Sequence, residues 1–114
     1  MRFTRGNWNK FFDGCNKITT IRLKRHRAGN HVGHHNAWAG SYNKPKKLGT
    51  FDIVKVVSTH YKELNDNDAI LDGFSDIVSL REELERLNGK IADTCPVYIH
   101  YCANVKKEEV NPYV

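Results

Sequence analysis

The stretch GCNKITTIR, residues 14–22, leads from a glycine into a segment in which polar and apolar side chains alternate. The alternation predicts a β-strand over residues 18–24, because successive side chains of a strand point to opposite faces. Thr20, Arg22 and Lys24 then share one face, which is too polar for a dry core. We therefore expect this face to look into a wet cleft or out to solvent.

Two further segments predict strands. Residues 51–58, FDIVKVVS, are apolar on both faces, which is typical of a central strand. Residues 96–105 are rich in Val, Ile and Tyr and predict the last strand, and the mixed-charge tail from residue 106 is expected to fray. The segment 25–49 is long, rich in Gly, His and Asn, and without clear periodicity, so it predicts a functional or disordered loop.

Two or three short helices are predicted between the strands. Residues 8–12 place aromatic side chains at helical spacing, and we expect these to pack in the core. Residues 67–71 predict a helical turn that stops at the following glycine. The clearest helix has a capping box of Ser79 with Glu82 and ends at Gly89. Because regular strand–helix alternation is missing, the order predicts an α+β fold with a small mixed or antiparallel β-barrel.

Length and composition predict one small domain over residues 1–114, since 39% apolar residues allow only a modest core. The sequence has no apolar run long enough to cross a membrane, and its N-terminal stretch is too polar for a secretory signal. The three cysteines match no zinc or redox spacing, which favours a reducing cytoplasm. Histidines 26, 31, 34 and 35 lack the cysteine or carboxylate neighbours of zinc sites, so we predict no metal or other cofactor.

The charge is divided unevenly along the chain. Residues 1–57 carry 12 Lys/Arg and 2 Asp/Glu, whereas residues 58–114 carry 6 and 11. This division predicts a surface for a polyanion, and aromatic side chains among the cations suit single-stranded RNA. For Trp38 a core position is equally compatible with the sequence. The candidate RNA or ligand contacts are Arg22, Lys24, Arg25, Arg27, Trp38, Lys44, Lys46 and Lys47.

Two motifs resemble those of the ASCH superfamily. In GCNKITTIR a glycine precedes Lys17, and Thr20, an apolar residue and Arg22 follow at the spacing of the family signature. Residues 68–74, DAILDGF, resemble the second motif, in which an alanine is followed by an acidic residue, Gly and Phe. The resemblance implies a PUA-like fold and a role in RNA binding or RNA-linked chemistry.

One branch of this superfamily hydrolyses the acetyl amide of N-acetylcytidine with a lysine, a threonine and a glutamate. By position these match Lys17, Thr20 and Asp72, and the aspartate is one methylene shorter, which shifts the carboxylate by about 1 Å. Burial and the charge of Arg22 would lower the pKa of Lys17, and Asp72 would raise it. The sequence leaves open whether Lys17 is a base or an anion holder, and whether Arg22 pairs with Asp72 or contacts the ligand.

The first functional hypothesis is an RNA- or nucleoside-binding module whose cleft contains Lys17, Thr20, Arg22 and Asp72, with single-stranded RNA or a nucleoside as partner. The second is an amidohydrolase that removes an acyl group from a modified pyrimidine nucleoside. The third is a metal-independent ribonuclease, since a basic cleft with Lys and His supports phosphodiester cleavage.

Overall fold

A computed structural model describes residues 1–23, 31–41 and 43–108 of the chain. Four strands form one antiparallel sheet in the order β1-β4-β3-β2. None of the helices in the described ranges is long and apolar enough to cross a membrane. The elements are α1 (Arg5–Asn9), β1 (Thr19–Arg22), β2 (Gly33–Ala39), β3 (Lys46–His60), a 3₁₀ turn (Tyr61–Glu63), α2 (Asp66–Leu71), α3 (Ile77–Asn88) and β4 (Pro96–Lys107).

The predicted α+β class is confirmed, but the predicted barrel is wrong because the sheet is open. Closing a barrel requires the two edge strands to pair, and here the N-terminal segment occupies part of the β2 edge and the end of α2 lies beside the residue before β1. Along β2, Trp38 donates its N–H to the carbonyl of Met1 at 2.9 Å and accepts from the N–H of Phe3 at 2.8 Å. At the start of β1, the N–H of Ile18 donates to the carbonyl of Leu71 at 2.8 Å.

The loop predicted over residues 25–49 is also wrong for part of its length, because β2 and the start of β3 lie within it. Gly, His and Asn have low strand propensity, so this strand depends on its hydrogen bonds to β3. Ala37 and Ala39 are buried while His34 and Asn36 are exposed, as alternation requires. Residues 24–30 and 42 lie outside the described residues.

The fraying predicted from residue 106 is wrong at its start, because Lys106 and Lys107 still belong to β4. Residues 109–114 of the predicted tail lie outside the described residues. The predicted central position of the strand around residues 51–58 is confirmed, since β3 lies between β2 and β4.

The two faces of the sheet carry separate cores. Val56 packs against one core and its neighbour Val57 against the other, so both faces of β3 are used. The helical core lies under α2 and α3 and contains Ile21, Tyr61, Leu64, Ala69, Leu80, Leu84, Ile91, Val97 and Ile99. The aromatic core lies under α1 and contains Phe3, Trp8, Ala37, Phe51 and Ile53.

The local signals of the helices are partly those predicted from the sequence. Helix α3 ends at Gly89 as predicted, but the predicted Ser79–Glu82 capping box is wrong. Asp76 is the N-cap, and its carboxylate accepts from the N–H of Ser79, whose hydroxyl in turn accepts from the N–H of Asp76. The core position predicted for the aromatic group of residues 8–12 is confirmed most clearly for Trp8, which is 2% exposed.

Candidate functional site

A cavity of about 750 Å³ lies between the N-terminal segment, β1 and α3. Its walls combine the apolar side chains of α3 with a cluster of charged and amide groups from four parts of the chain: the N-terminal segment, the segment around β1, the end of α2, and α3. The polar residues that line it are Arg2, Thr4, Arg5, Asn7, Lys17, Thr20, Arg22, Asp72, Glu83 and Asn88.

Lys17 and Asp72 form a direct ion pair at this cavity, although 55 residues separate them in sequence. Both residues are only 4% exposed. The Lys17 ammonium also donates to the backbone carbonyl of Asp72 at 3.2 Å. The shorter side chain of aspartate therefore still reaches the lysine, because Asp72 caps the C-terminus of α2 beside the start of β1.

Gly73 allows this close approach. Its φ is +87°, in the left-handed region that side chains rarely adopt, and a Cβ there would lie 3.2 Å from the Cβ of Lys17. Packing therefore requires a glycine after Asp72, which is the residue that the second ASCH-like motif has at this place. A larger residue at position 73 would be strained by this φ and would crowd the side chains of Lys10 and Lys17.

Burial changes the protonation behaviour of the site. Burial lowers the pKa of Lys17 more than the attraction of Asp72 raises it, and burial raises the pKa of Asp72. Burial also lowers the pKa of Arg22 to about 10. With two cations around one carboxylate, the charged site has a surplus positive charge that a bound anion or polarised carbonyl would offset.

Arg22 is held in place by its neighbours. Its Nε donates to the Thr20 hydroxyl oxygen at 3.1 Å, and its guanidinium lies 4.6 Å from the ring centre of Phe3. Among the described residues, nothing accepts a hydrogen bond from its two terminal nitrogens. Arg22 lines the cavity, and its guanidinium is a planar pair of donors of the geometry that suits a phosphate or carboxylate.

The structure brings together Lys17, Thr20, Arg22 and Asp72 of the predicted site residues, but not the others. Trp38 is half-buried on β2, and its backbone pairs with Met1, Phe3 and Lys47. Of the predicted loop cations, Lys44 and Lys46 are exposed, and Lys47 pairs with Glu108 at 3.7 Å. Lys24, Arg25 and Arg27 lie outside the described residues.

Sequence reasoning missed a part of the site that comes from the N-terminal segment and α3. Arg2, Arg5 and Asn7 reach the cavity because the N-terminal segment pairs with β2, a contact with no local signal. Glu83 follows Leu80 at helical spacing, so the stripe of α3 indicates that it shares the buried face. Asn88 extends that stripe by one further turn.

The described residues contain no group of three or more His, Cys, Asp or Glu side chains placed to hold a metal ion. His34 contacts Asp52 at 2.7 Å on the far part of the sheet, and Asn104 donates to the same carboxylate at 2.8 Å. The donor set of the cavity itself, with its surplus of Lys and Arg, suits an anion and not a cation.

A comparison with solved structures identifies the fold of the open four-stranded sheet and its helices. The chain matches the crystal structure of an ASCH domain from Lactobacillus crispatus JV V101 with a TM-score of 0.54 and 15% identity, covering 79% of this chain and 64% of that chain. No protein-family model and no curated protein matches the chain. The chain therefore has the ASCH-domain fold, as the two motifs predicted, and it spans about 64% of the length of that matched chain.

Proposed function

We propose that the cavity binds a nucleoside unit, either free as a nucleotide or as one residue of a single-stranded RNA. The observation that carries this proposal is the oriented guanidinium of Arg22 beside the buried Lys17–Asp72 pair in a cavity of about 750 Å³. Ligand sites of this volume hold drug-sized molecules, and a mononucleotide is of that size. The ASCH-domain fold is compatible with a role in RNA metabolism.

Charge supports an anionic ligand in this cavity. Four cationic side chains line it, from Arg2, Arg5, Lys17 and Arg22, against the carboxylates of Asp72 and Glu83. Gly40, just after β2, lines the cavity, and Lys44 lies close to it, because a Cβ added at Gly40 would come within 2.8 Å of the Lys44 carbonyl oxygen. A longer RNA would then leave the cavity toward Lys44 and Lys46.

Calorimetric titration with nucleoside 5′-monophosphates tests the proposal. Arg22→Gln removes a charge-assisted contact worth about 1.5–3 kcal/mol, so we expect roughly a tenfold to hundredfold loss of affinity. Lys62→Gln is the matched control, since it removes the same charge from an exposed site on the 3₁₀ turn. Equal affinities of wild type and Arg22→Gln would contradict the proposal.

The RNA form of the proposal has its own test. Binding of a short single-stranded RNA is measured over a series of salt concentrations, in wild type and in a variant with Lys44, Lys46 and Lys47 changed to Gln. Each lost phosphate contact is expected to reduce the salt slope by about 0.7. An unchanged slope would show that these lysines do not contact the RNA phosphates, and only the mononucleotide form of the proposal would remain.

A second candidate function is hydrolysis of an acylated pyrimidine nucleoside, and the Arg22–Thr20 hydrogen bond is the observation that favours it. A donor on the Thr20 oxygen stabilises the alkoxide that attacks an acyl carbon. Burial lowers the pKa of Lys17 and raises the pKa of Asp72, and both shifts have the direction that helps Lys17 to lose its proton and serve as a base. The attack would form a threonine ester and break the acyl C–N bond, and the leaving amino nitrogen of the nucleoside would take the proton that Lys17 had accepted from Thr20. Water would then cleave the ester, release the acyl group as its carboxylic acid and return the Thr20 hydroxyl.

This candidate requires release of cytidine from N-acetylcytidine by purified protein. Thr20→Val keeps the shape of the side chain and is expected to abolish turnover, whereas Thr50→Val on β3, outside the cavity, is expected to keep it. Turnover that survives Thr20→Val would eliminate this mechanism. The ribonuclease hypothesis gains no comparable support, since the described residues that line the cavity include no histidine.

A further inference from the structure

A second polar cluster lines the cavity along α3, outside the Lys17–Asp72 pair. Asn7 of α1 donates from Nδ2 to Oε2 of Glu83 at 2.9 Å, and Arg86 donates from Nε to Oε1 of Glu83 at 2.6 Å. Asn7 and Glu83 line the cavity, and Arg86 lines a neighbouring, shallower depression of about 410 Å³ that the other two also border. Both oxygens of the Glu83 carboxylate are therefore committed to protein donors.

This cluster determines which end of the Asn7 amide faces Glu83. An ionised carboxylate only accepts hydrogen bonds, and the hydrogen bond from Arg86 lowers the pKa of Glu83, so the carboxylate stays ionised at neutral pH. Asn7 must then present its NH₂ group to Glu83. Its carbonyl oxygen Oδ1 is left as an acceptor that receives no hydrogen bond from the described residues.

The side-chain amide of Asn88, at the end of α3, also donates from its NH₂ group to the protein. Its Nδ2 donates to the backbone carbonyl of Leu84 at 2.8 Å, and no described residue donates to its Oδ1. Leu84 and Leu87 lie on α3 between Glu83 and Asn88, and all four line the cavity. Leu87 is 47% exposed although it is large and apolar, which suits a wall that a planar ring covers.

The cavity is thus polarised. Among the residues that line it, Lys17 and Arg22 carry donors, and Asn7 and Asn88 carry amide oxygens that receive no hydrogen bond from the described residues. A ligand that fits both sets of groups carries acceptors or negative charge at one end and N–H donors on a planar ring at the other. A nucleotide whose base has an exocyclic amino group meets this description.

We propose, on the basis of the proposed function, that Asn7 is a specificity-determining residue that accepts a hydrogen bond from the amino group of the bound base, and that Glu83 is a positioning residue that orients Asn7. A base with a carbonyl group at this place sets two acceptors against each other and leaves both unpaired. Such a mismatch is expected to weaken binding at least about tenfold. The preferred ligands therefore carry cytosine or adenine in place of uracil or hypoxanthine.

Two matched pairs of ligands test this specificity by calorimetry. They are cytidine and uridine 5′-monophosphate, and adenosine and inosine 5′-monophosphate, which differ within each pair by an amino or a carbonyl group. In the tighter-binding pair, we expect wild type to bind the amino-bearing member at least about tenfold more tightly. Glu83→Gln can donate as well as accept, which frees the Asn7 amide to turn, so the ratio is expected to fall below about threefold.

The control for this change is Glu82→Gln, the exposed neighbour on the same helix, which is expected to keep the wild-type ratio. Asn7→Ala is a second variant and is also expected to lose the ratio, whereas a merely structural defect would weaken both members equally. A wild-type ratio near one, or a ratio kept in both Glu83→Gln and Asn7→Ala, would overturn the role of Asn7 while the nucleotide site stands. Absence of binding by all four nucleotides would overturn the proposed function and this inference with it.

Discussion

Asp72→Asn is the substitution with the largest expected effect on stability. It removes the negative charge opposite the buried Lys17 ammonium but keeps the size of the side chain and an oxygen that accepts from Lys17. The folded state must then either hold an unpaired buried cation or release the proton of Lys17 to solvent. Removal of one partner of a buried ion pair destabilises proteins by about 3–5 kcal/mol.

Deprotonation of Lys17 sets a ceiling on this loss. With an ordinary lysine pKa near 10.4 in the unfolded chain and about 1.36 kcal/mol per pH unit, holding the amine neutral costs about 4.6 kcal/mol at pH 7 and about 1.9 kcal/mol at pH 9. In this pH range the unfolded Asp72→Asn protein binds one proton more than the folded one. The unfolding free energy of Asp72→Asn therefore rises with pH up to the ordinary lysine pKa. The wild-type pair holds one proton in either state, so the gap between the two proteins narrows as pH rises.

Urea denaturation at pH 7 and pH 9 measures the gap. We expect about 3–4.6 kcal/mol at pH 7 and below about 2 kcal/mol at pH 9. Asp13→Asn, which neutralises an exposed carboxylate, serves as the control and is expected to stay within about 0.5 kcal/mol of wild type. A loss under about 1 kcal/mol at pH 7, or one that does not change with pH, would contradict the claim that Asp72→Asn leaves Lys17 buried without a partner.

Two other features give further tests. In Gly49→Ala the new methyl group would collide with the carbonyl of Lys106 in β4, so we expect chemical denaturation to show a loss of about 1–3 kcal/mol or more in unfolding free energy. Gly6→Ala in α1 is the control, because open space surrounds this position, and it is expected to stabilise the protein by up to about 1 kcal/mol. A Gly49→Ala protein as stable as wild type would contradict this packing. Burial raises the pKa of Cys102 to about 12, so its reactive thiolate form is scarce at pH 8. Mass spectrometry after treatment with a thiol reagent at pH 8 is expected to find the exposed Cys15 labelled before Cys102. Equal labelling rates of the two cysteines would contradict the burial of Cys102.

The sequence predicts the elements that carry strong local signals. The apolar run of β3 and the Leu stripe of α3 specify a strand and a helix because both are buried on folding: Phe51 and Ile53 of β3 lie in the aromatic core, and Leu80 and Leu84 of α3 lie in the helical core. The convergence of Lys17 with Asp72 was accessible only through the two family motifs, since nothing in their local sequence indicates that α2 ends beside β1. Thr20 and Arg22 were predicted to look into a wet cleft or out to solvent, and both line the cavity.

What the sequence could not predict depends on pairing between distant segments. Strand β2 carries His and Asn on its exposed side and has little strand propensity, so its conformation follows from the ladder with β3. The open sheet follows from residues at the N-terminus, where Met1 and Phe3 occupy the edge that barrel closure would need. The same pairing brings Arg2 and Asn7 to the cavity, which is why that wall of the site was missed.

A crystal structure of the protein, grown or soaked with a saturating nucleoside 5′-monophosphate, would show directly whether the cavity is a nucleotide site. We expect the nucleotide inside the cavity, with an anionic or carbonyl oxygen on the terminal nitrogens of Arg22 and the base against α3. A nucleotide bound elsewhere on the surface, with the space beside Lys17 and Arg22 holding only solvent, would contradict this expectation.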